Sequence, residues 1–309
     1  MIIVADVGGT NTRLALFKGG RIEEIKIYPS NSFRSFEEIL SEYLKTIGHY
    51  DCEAISIGIA GTVSGSKANC VNLSWGIEIE ALQMAFDIPK VVLMNDFEAA
   101  AWGVIALSTS DLLKVGGKET RANSPRAILG AGTGLGEAII IPCNNQRFHV
   151  LPTEGGHTEF APCDETEWHL FQFLKEKYGH VSIERVVSGP GLKDIFLFLS
   201  GNEVSPQTVV ELALQKRDEN AMKALEIFIK NYGKEAANLA LKSLAFGGVY
   251  IAGGIAPKIK EVFAEFGFRD AFEDKGRMKA IVRDIPVFIV LHPYLGLLGA
   301  GIRLIHVPT

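Results

Sequence analysis

Apolar residues enter this chain in short bursts bounded by glycine, and the first two lie close together. Ile2 to Val4 and Arg13 to Phe17 read as β-strands, with a glycine turn between them and a second turn at Lys18-Gly19-Gly20-Arg21. The period then lengthens. From Ser35 to Ile47 the residues Phe36, Ile39, Leu40, Tyr43, Leu44 and Ile47 recur at helical spacing. Apolar runs at Ala54 to Ala60 and Val91 to Met94 predict buried strands, so the first hundred or so residues compose an α/β unit.

The same plan restarts at Ala127-Ile128-Leu129, passes through a glycine turn at Gly130 to Gly136 and leaves through Ala138 to Ile141. A polar turn at Asn144-Asn145-Gln146 precedes a possible return strand, Arg147 to Leu151. Helical stretches follow at Glu167 to Tyr178, Gly191 to Leu199 and Ala221 to Ala245, with strands at Val249 to Ala252 and Pro286 to Leu291 and a short apolar helix at Gly296 to Ile305. Such duplication predicts two related domains with a cleft between them. The polar and glycine-rich stretch Ser108 to Pro125 marks the boundary region, giving a small α/β domain over 1–107, completed by a C-terminal helix within 293–309, and a large α/β domain over 108–292.

Composition narrows the chemistry. The 309 residues are 47% hydrophobic and 22% charged, with a net charge of -5, so a substantial core is affordable and no general excess of positive charge exists to meet a nucleic-acid backbone. No apolar run is long enough to cross a bilayer, and Asp6 interrupts the opening stretch too early for a signal-peptide core. Cys52, Cys70, Cys143 and Cys163 are scattered without a Cys-x-x-Cys pair, which fits a reducing cytoplasm.

The glycine turns carry the strongest chemical signal. Asp6-Val7-Gly8-Gly9-Thr10-Asn11-Thr12-Arg13 lets backbone N–H groups approach phosphate oxygens without side-chain obstruction, although a plain hairpin turn accounts for it as well. A second run, Gly130-Ala131-Gly132-Thr133-Gly134-Leu135-Gly136, is extravagant for a hairpin because every ordered glycine costs conformational entropy. Two such turns at matching places favour phosphate binding. Asp6, at the first strand's end, is placed to orient Mg²⁺ through water. Neither a P-loop nor a dinucleotide fingerprint fits, since the second turn leads into a strand-like run instead of a helix.

Polar candidates gather elsewhere. Asn95-Asp96 ends a buried strand and opens a helix, where Asp96 reads either as a ligand-facing carboxylate or as the helix N-cap. Glu154-Gly155-Gly156-His157 sets a carboxylate and an imidazole around two glycines, groups that complement sugar hydroxyls, while His157 taken alone reads as an ordinary packed or solvated histidine. Glu184 reads equally as a solvated partner of Arg185. Gly253-Gly254 follows a strand and precedes a helix candidate, so bare backbone for an adenine ring and a simple connecting turn are both open.

Taken in order along nearly the whole chain, these segments resemble the bacterial glucokinase family of the hexokinase and actin superfamily. The resemblance extends through Ala271 to Arg277 and Pro293 to Gly301. It implies a two-domain actin/hexokinase-like (ribonuclease H-like) α/β fold with an interdomain cleft, and ATP-dependent phosphorylation of glucose to glucose 6-phosphate. It matches Asp96 to the catalytic base and Asn95, Glu154, His157 and Glu184 to sugar positions, with Asn72, in Asn72-Leu73-Ser74-Trp75, near the sugar. Phosphates would lie on Asp6, Val7, Gly8, Gly9, Thr10 and Asn11 and on Gly132, Thr133 and Gly134, and adenosine beside Gly253 and Gly254. A homodimer and Mg-ATP are further implications. Two departures stand out. The cysteine cluster that binds zinc in the related ROK group is reduced to Cys163 here, so no structural zinc is expected, and Thr62 stands where these glucokinases tend to have proline. The rival readings are a kinase for another hexose, a non-catalytic sugar or nucleotide sensor, and a nicotinamide-dependent oxidoreductase. Against the sensor, Asp96 and both turns are retained and the chain opens directly on its first strand, without an N-terminal DNA-binding module.

Overall fold

The structure, a computed structural model, describes residues 1–48, 51–70, 73–144 and 147–306. The chain forms two compact units, one comprising Met1–Ser108, Asn144–Pro152 and His292–Thr309, the other Thr109–Cys143 and Thr153–Leu291.

In the first unit, β1 (Ile2–Val7), β2 (Asn11–Lys18) and β3 (Arg21–Pro29) form consecutive antiparallel hairpins. Helix α1 (Phe36–Ile47) begins where the Ser35 hydroxyl accepts the Glu38 N–H and ends at Gly48, whose φ of 68° suits a residue without a Cβ. It turns Phe36, Ile39, Leu40, Tyr43 and Leu44 inward. Strand β4 (Ala54–Ile59) is buried throughout, as a strand covered on both faces must be. A small antiparallel sheet of β5 (Gly61–Ser64), β6 (Lys67–Cys70) and β7 (Gly76–Glu78) follows, with α2 (Ile79–Phe86), β8 (Lys90–Asn95) and α3 (Asp96–Val104). None of β5, β6, β7 or α2 stands out in the hydrophobic pattern, because their alternation is short and glycine-broken. The main sheet runs β3-β2-β1-β4-β8, with β4 parallel to both β1 and β8.

The second unit repeats this wiring. After β9 (Leu112–Gly116), β10 (Arg126–Ala131) and β11 (Leu135–Pro142) form an antiparallel hairpin; β12 (Phe148–Thr153) comes next along the chain, its residues up to Pro152 grouped with the first unit. Helices α4 (Glu165–Tyr178), α5 (Gly189–Ser200), α6 (Pro206–Leu214) and the long α7 (Glu219–Ser243) lead to β13 (Val249–Ala252). Then come α8 (Phe268–Glu273), α9 (Lys279–Asp284) and β14 (Val287–Val290). Within the unit the strands run β11-β10-β13-β14-β9, with β13 parallel to β10 and β14. A hairpin whose first strand pairs in parallel with a later strand thus occurs once in each unit, which is the duplication visible in the sequence.

The chain closes with α10 (Leu295–His306), grouped with the first unit. It crosses α3 through glycines: a Cβ at Gly299 would overlap the Ala99 carbonyl, and one at Gly103 would lie 2.5 Å from the Leu295 carbonyl oxygen. Among the described residues no helix is long and apolar enough to cross a membrane, and all four cysteines are free thiols.

Candidate active site

The candidate residues are divided between the two units. In the first, the turn between β1 and β2 is closed by the Gly8 N–H donating to the Asn11 carbonyl at 3.0 Å. Ser30 braces it from the side. Its hydroxyl donates to the Gly8 carbonyl at 2.6 Å, so the 3.0 Å contact with Thr12 Oγ1 has the threonine as donor. Thr10 at the tip is exposed, while Val7 and Thr12 are buried. The Gly8 amide, one of the predicted phosphate donors, is therefore engaged in holding the turn's shape.

Asp6 lies directly across the hairpin from Arg13, and the Arg13 guanidinium donates to Asp6 Oδ2 at 2.9 Å. Burial pushes the Asp6 carboxyl above the usual carboxylate range, and Arg13 partly offsets this. Its carboxylate also faces the first turn of α10, about as close as ordinary packing allows to where a side chain at Gly296 would begin.

Asp96 is the first residue of α3, directly after β8, and is half-buried. The helix is not capped by Asp96. Asn95 is the N-cap: its Oδ1 accepts from Phe97 N at 2.8 Å and Glu98 N at 3.4 Å, while its Nδ2 donates to the Gly61 carbonyl at 3.2 Å. Two adjacent cap-forming residues divide the work, the first serving the helix. Gly58 on β4 lets α3 approach, since a Cβ there would come 2.9 Å from Ala99 Cβ. Asn95 also anchors the loop whose shape Thr62 put in question. That loop is β5, with Thr62 exposed and paired with Asn69. Asn72 lies outside the described residues.

In the second unit, the Gly132 N–H donates to the Gly134 carbonyl at 2.8 Å, closing the second turn as Gly8 closes the first. The Gly132 carbonyl accepts from Gly189 N at 2.8 Å, tying the turn to the start of α5, which Ser188 caps. The positive end of a twelve-residue helix thus stands beside the exposed Thr133. As expected from the sequence, the turn runs directly into a strand.

Glu184 belongs to this turn. Its Oε2 accepts the Leu135 N–H at 2.9 Å and lies 2.5 Å from where a Gly134 Cβ would be. The alternative pairing with Arg185 is overturned, because the Arg185 guanidinium stacks 4.0 Å above the Tyr178 ring. Neighbouring residues in a helical turn point in different directions.

Glu154 and His157 flank a 3₁₀ turn, both exposed, with His157 Nε2 3.9 Å from Glu154 Oε2. The two glycines between them are required by what lies beneath: a Cβ at Gly156 would overlap the Leu135 carbonyl, and one at Gly155 the Glu137 carboxyl. Thr153 Oγ1 donates to the Glu137 carbonyl at 3.2 Å and accepts from Gly155 N at 3.3 Å. The opening residues of β11 therefore support both Glu184 and the turn bearing Glu154 and His157. Glu137 escaped the sequence reading; the available signal was a carboxylate two residues beyond Leu135, on the same strand face and at an inward position.

Gly253 and Gly254 are exposed at the end of β13. Gly253 has φ of +83°, and a Cβ on it would sit 2.5 Å from the Ala131 carbonyl oxygen, whereas a Cβ on Gly254 would meet nothing within 4 Å. Bare backbone at 254 leaves room for a flat ring. The expected following helix is not formed: Ala256–Lys258 makes only a 3₁₀ turn after Gly254, and a second 3₁₀ turn, Lys260–Val262, follows at once. Among the described residues, no group of three or more His, Cys, Asp or Glu side chains is arranged to hold a metal ion.

Comparison with known proteins gives these features a context. The family model described as glucokinase matches residues 3–306. The glucokinase of Campylobacter jejuni subsp. doylei is 39% identical over 309 residues, covering 98% of this chain and 93% of the relative. Among solved structures, a glucokinase from an Antarctic psychrotroph superposes with a TM-score of 0.89 at 29% identity, covering 99% of each chain. A ROK-family glucokinase from Streptomyces griseus, in complex with glucose and AMPPNP, shares the fold at a TM-score of 0.65 and 22% identity over 97% of each chain.

Proposed function

This chain belongs to the glucokinase family, and we propose that it transfers the terminal phosphoryl group of ATP to the 6-hydroxyl of glucose, with Asp96 as the general base. The observation that carries the role of Asp96 is the division of labour at the start of α3, where Asn95 serves the helix as its cap and Asp96 is the adjacent carboxylate. As the sugar oxygen attacks, Asp96 accepts its proton while the phosphoryl group moves in line to that oxygen. Little covalent chemistry falls to the protein, so positioning and charge stabilisation dominate.

The sugar hydroxyls are matched by Glu154, His157 and Glu184, with Asn95 offering its amide and Asn72 nearby. The two glycine turns, Asp6 to Asn11 and Gly132 to Gly134, receive phosphates, supported in the second case by the α5 N-terminus. Adenosine lies against Gly253 and Gly254, where the open space at 254 suits it. That an ATP analogue and glucose occupy the Streptomyces griseus relative supports the same pair of substrates here.

Mg²⁺ suits Asp6: a hard carboxylate with one oxygen taken by Arg13 fits a water-mediated contact better than a protein cage. When bound with the nucleotide, the ion would neutralise phosphate charge. We place the reaction in the cytoplasm, which four free thiols fit, and in a homodimer, as light scattering of the purified protein would test.

A coupled assay for ADP release with and without glucose tests the activity. Asp96→Asn tests the mechanism: glucose binding measured by calorimetry should persist while turnover falls by about two to four orders of magnitude. Near-normal turnover would remove Asp96 from the role.

A further inference from the structure

Glu137 is 2% exposed, and its Oε1 has no hydrogen-bond partner. Its other carboxyl oxygen packs beneath Gly155, between Glu154 and His157. An orphaned acid in an interior is costly, so its position against one particular turn calls for a reason. The surroundings are charged as well as tight. On α7, Glu235 is also buried, with an Oε1 that makes no hydrogen bond and an Oε2 accepting from Asn238 Nδ2 at 3.0 Å. Lys275 Nζ donates to Asn238 Oδ1 at 2.7 Å, Lys242 Nζ lies 3.9 Å from Glu235 Oε1, and Tyr232 is buried on the same helix.

We propose that Glu137 is a positioning residue for the sugar-side turn: as a neutral acid it holds Gly155, and through it Glu154 and His157, and the grip on hexose weakens when Glu137 ionises. The proposal rests on those two residues contacting the sugar. Burial, joined by the like charge of Glu235 and partly offset by Lys242, pushes the Glu137 carboxyl up to about 8, so the neutral acid prevails at neutral pH. Above that value a carboxylate would be confined beside Gly155 with no hydrogen-bond donor at Oε1. Glu137 touches no reacting atom in this account, so its signature is binding of one substrate and not the chemical step.

The test is steady-state kinetics of the full-length enzyme across neutral and alkaline pH. For the wild type, KM for glucose should climb above about pH 8, approaching tenfold per pH unit, while kcat and KM for ATP hold. Glu137→Gln, which keeps the shape and cannot ionise, should give a flat KM for glucose over the same range. Glu235→Gln, which removes the like charge, should shift the rise toward lower pH, and this reading stands even if Glu137→Gln fails to fold. A rise unchanged in both variants, or a parallel rise in KM for ATP, would overturn the role of Glu137 while leaving the kinase intact. Absence of glucose-dependent ADP release in the wild type at any pH would overturn the kinase reading and this one with it.

Discussion

Replacing Glu137 by glutamine should also free the protein's stability from one of its pH dependences. A glutamate ordinarily titrates near 4.5, and burial with the charge of Glu235 moves Glu137 up to about 8. Between those values the folded protein keeps a proton that the unfolded chain has released. Stability therefore falls as pH rises through this window and levels off once both states are ionised, the reverse of the usual salt-bridged carboxylate. At about 1.4 kcal/mol per unit, the roughly two units from about pH 6 to about pH 8 correspond to about 3 kcal/mol. Urea unfolding followed by tryptophan fluorescence suits the measurement, since Trp168 lies on α4 in the same unit as Glu137. The advantage of Glu137→Gln over the wild type should grow by about 3 kcal/mol from about pH 6 to about pH 9. Parallel stability curves for the two proteins would refute the reasoning, because they would show that Glu137 binds its proton no more tightly folded than unfolded.

Two further substitutions probe how the first unit builds its part of the site. Asn95→Ala deletes the cap of α3 and its bond to Gly61, and should cost about 1 to 2 kcal/mol in denaturant unfolding, whereas Asn95→Asp, which keeps the capping oxygen, should recover most of that loss. Gly299→Ala drives a methyl group into the Ala99 carbonyl on α3, and should lower stability by about 3 kcal/mol, seen as a drop of several degrees in Tm.

What could be read from the sequence follows the range of the forces involved. The two hairpins were legible because each is set by residues adjacent in the chain: branched runs on either side of glycines. The phosphate sites proposed on them rest on the same local glycine pattern, whereas the closing of each turn by the Gly8 and Gly132 amides is visible only in the structure. The bounds of α4, α5 and α7 differ by about two residues from the apolar period, since caps such as Asp164, Ser188 and Asp218 lie ahead of the first buried residue. The short strands β5, β6 and β7 were not legible, because three- and four-residue ladders carry too little alternation to stand out from a loop.

The site residues divide along the same line. At Asn95 and Asp96, both residue types can cap a helix, and only the backbone direction leaving β8 selects the first of them. For Glu184 the sequence leaves a sugar position and a pairing with Arg185 both open, and the structure gives its carboxylate the Leu135 N–H, 49 positions away, as partner. Glu137 is the most distant case, since the like charge that adds to the effect of its burial comes from Glu235 on α7, nearly a hundred residues further on. The contacts of Glu184 and Glu137 are long-range in sequence, and both converge on the first three residues of β11. Leu135 offers its N–H to Glu184 and its carbonyl to the close approach of Gly156, and Glu137 supports Gly155. A shift of that strand end would therefore disturb Glu154, His157 and Glu184 together, and this shared support is the geometric basis on which we propose that a buried acid at its third position acts on the sugar-side turn.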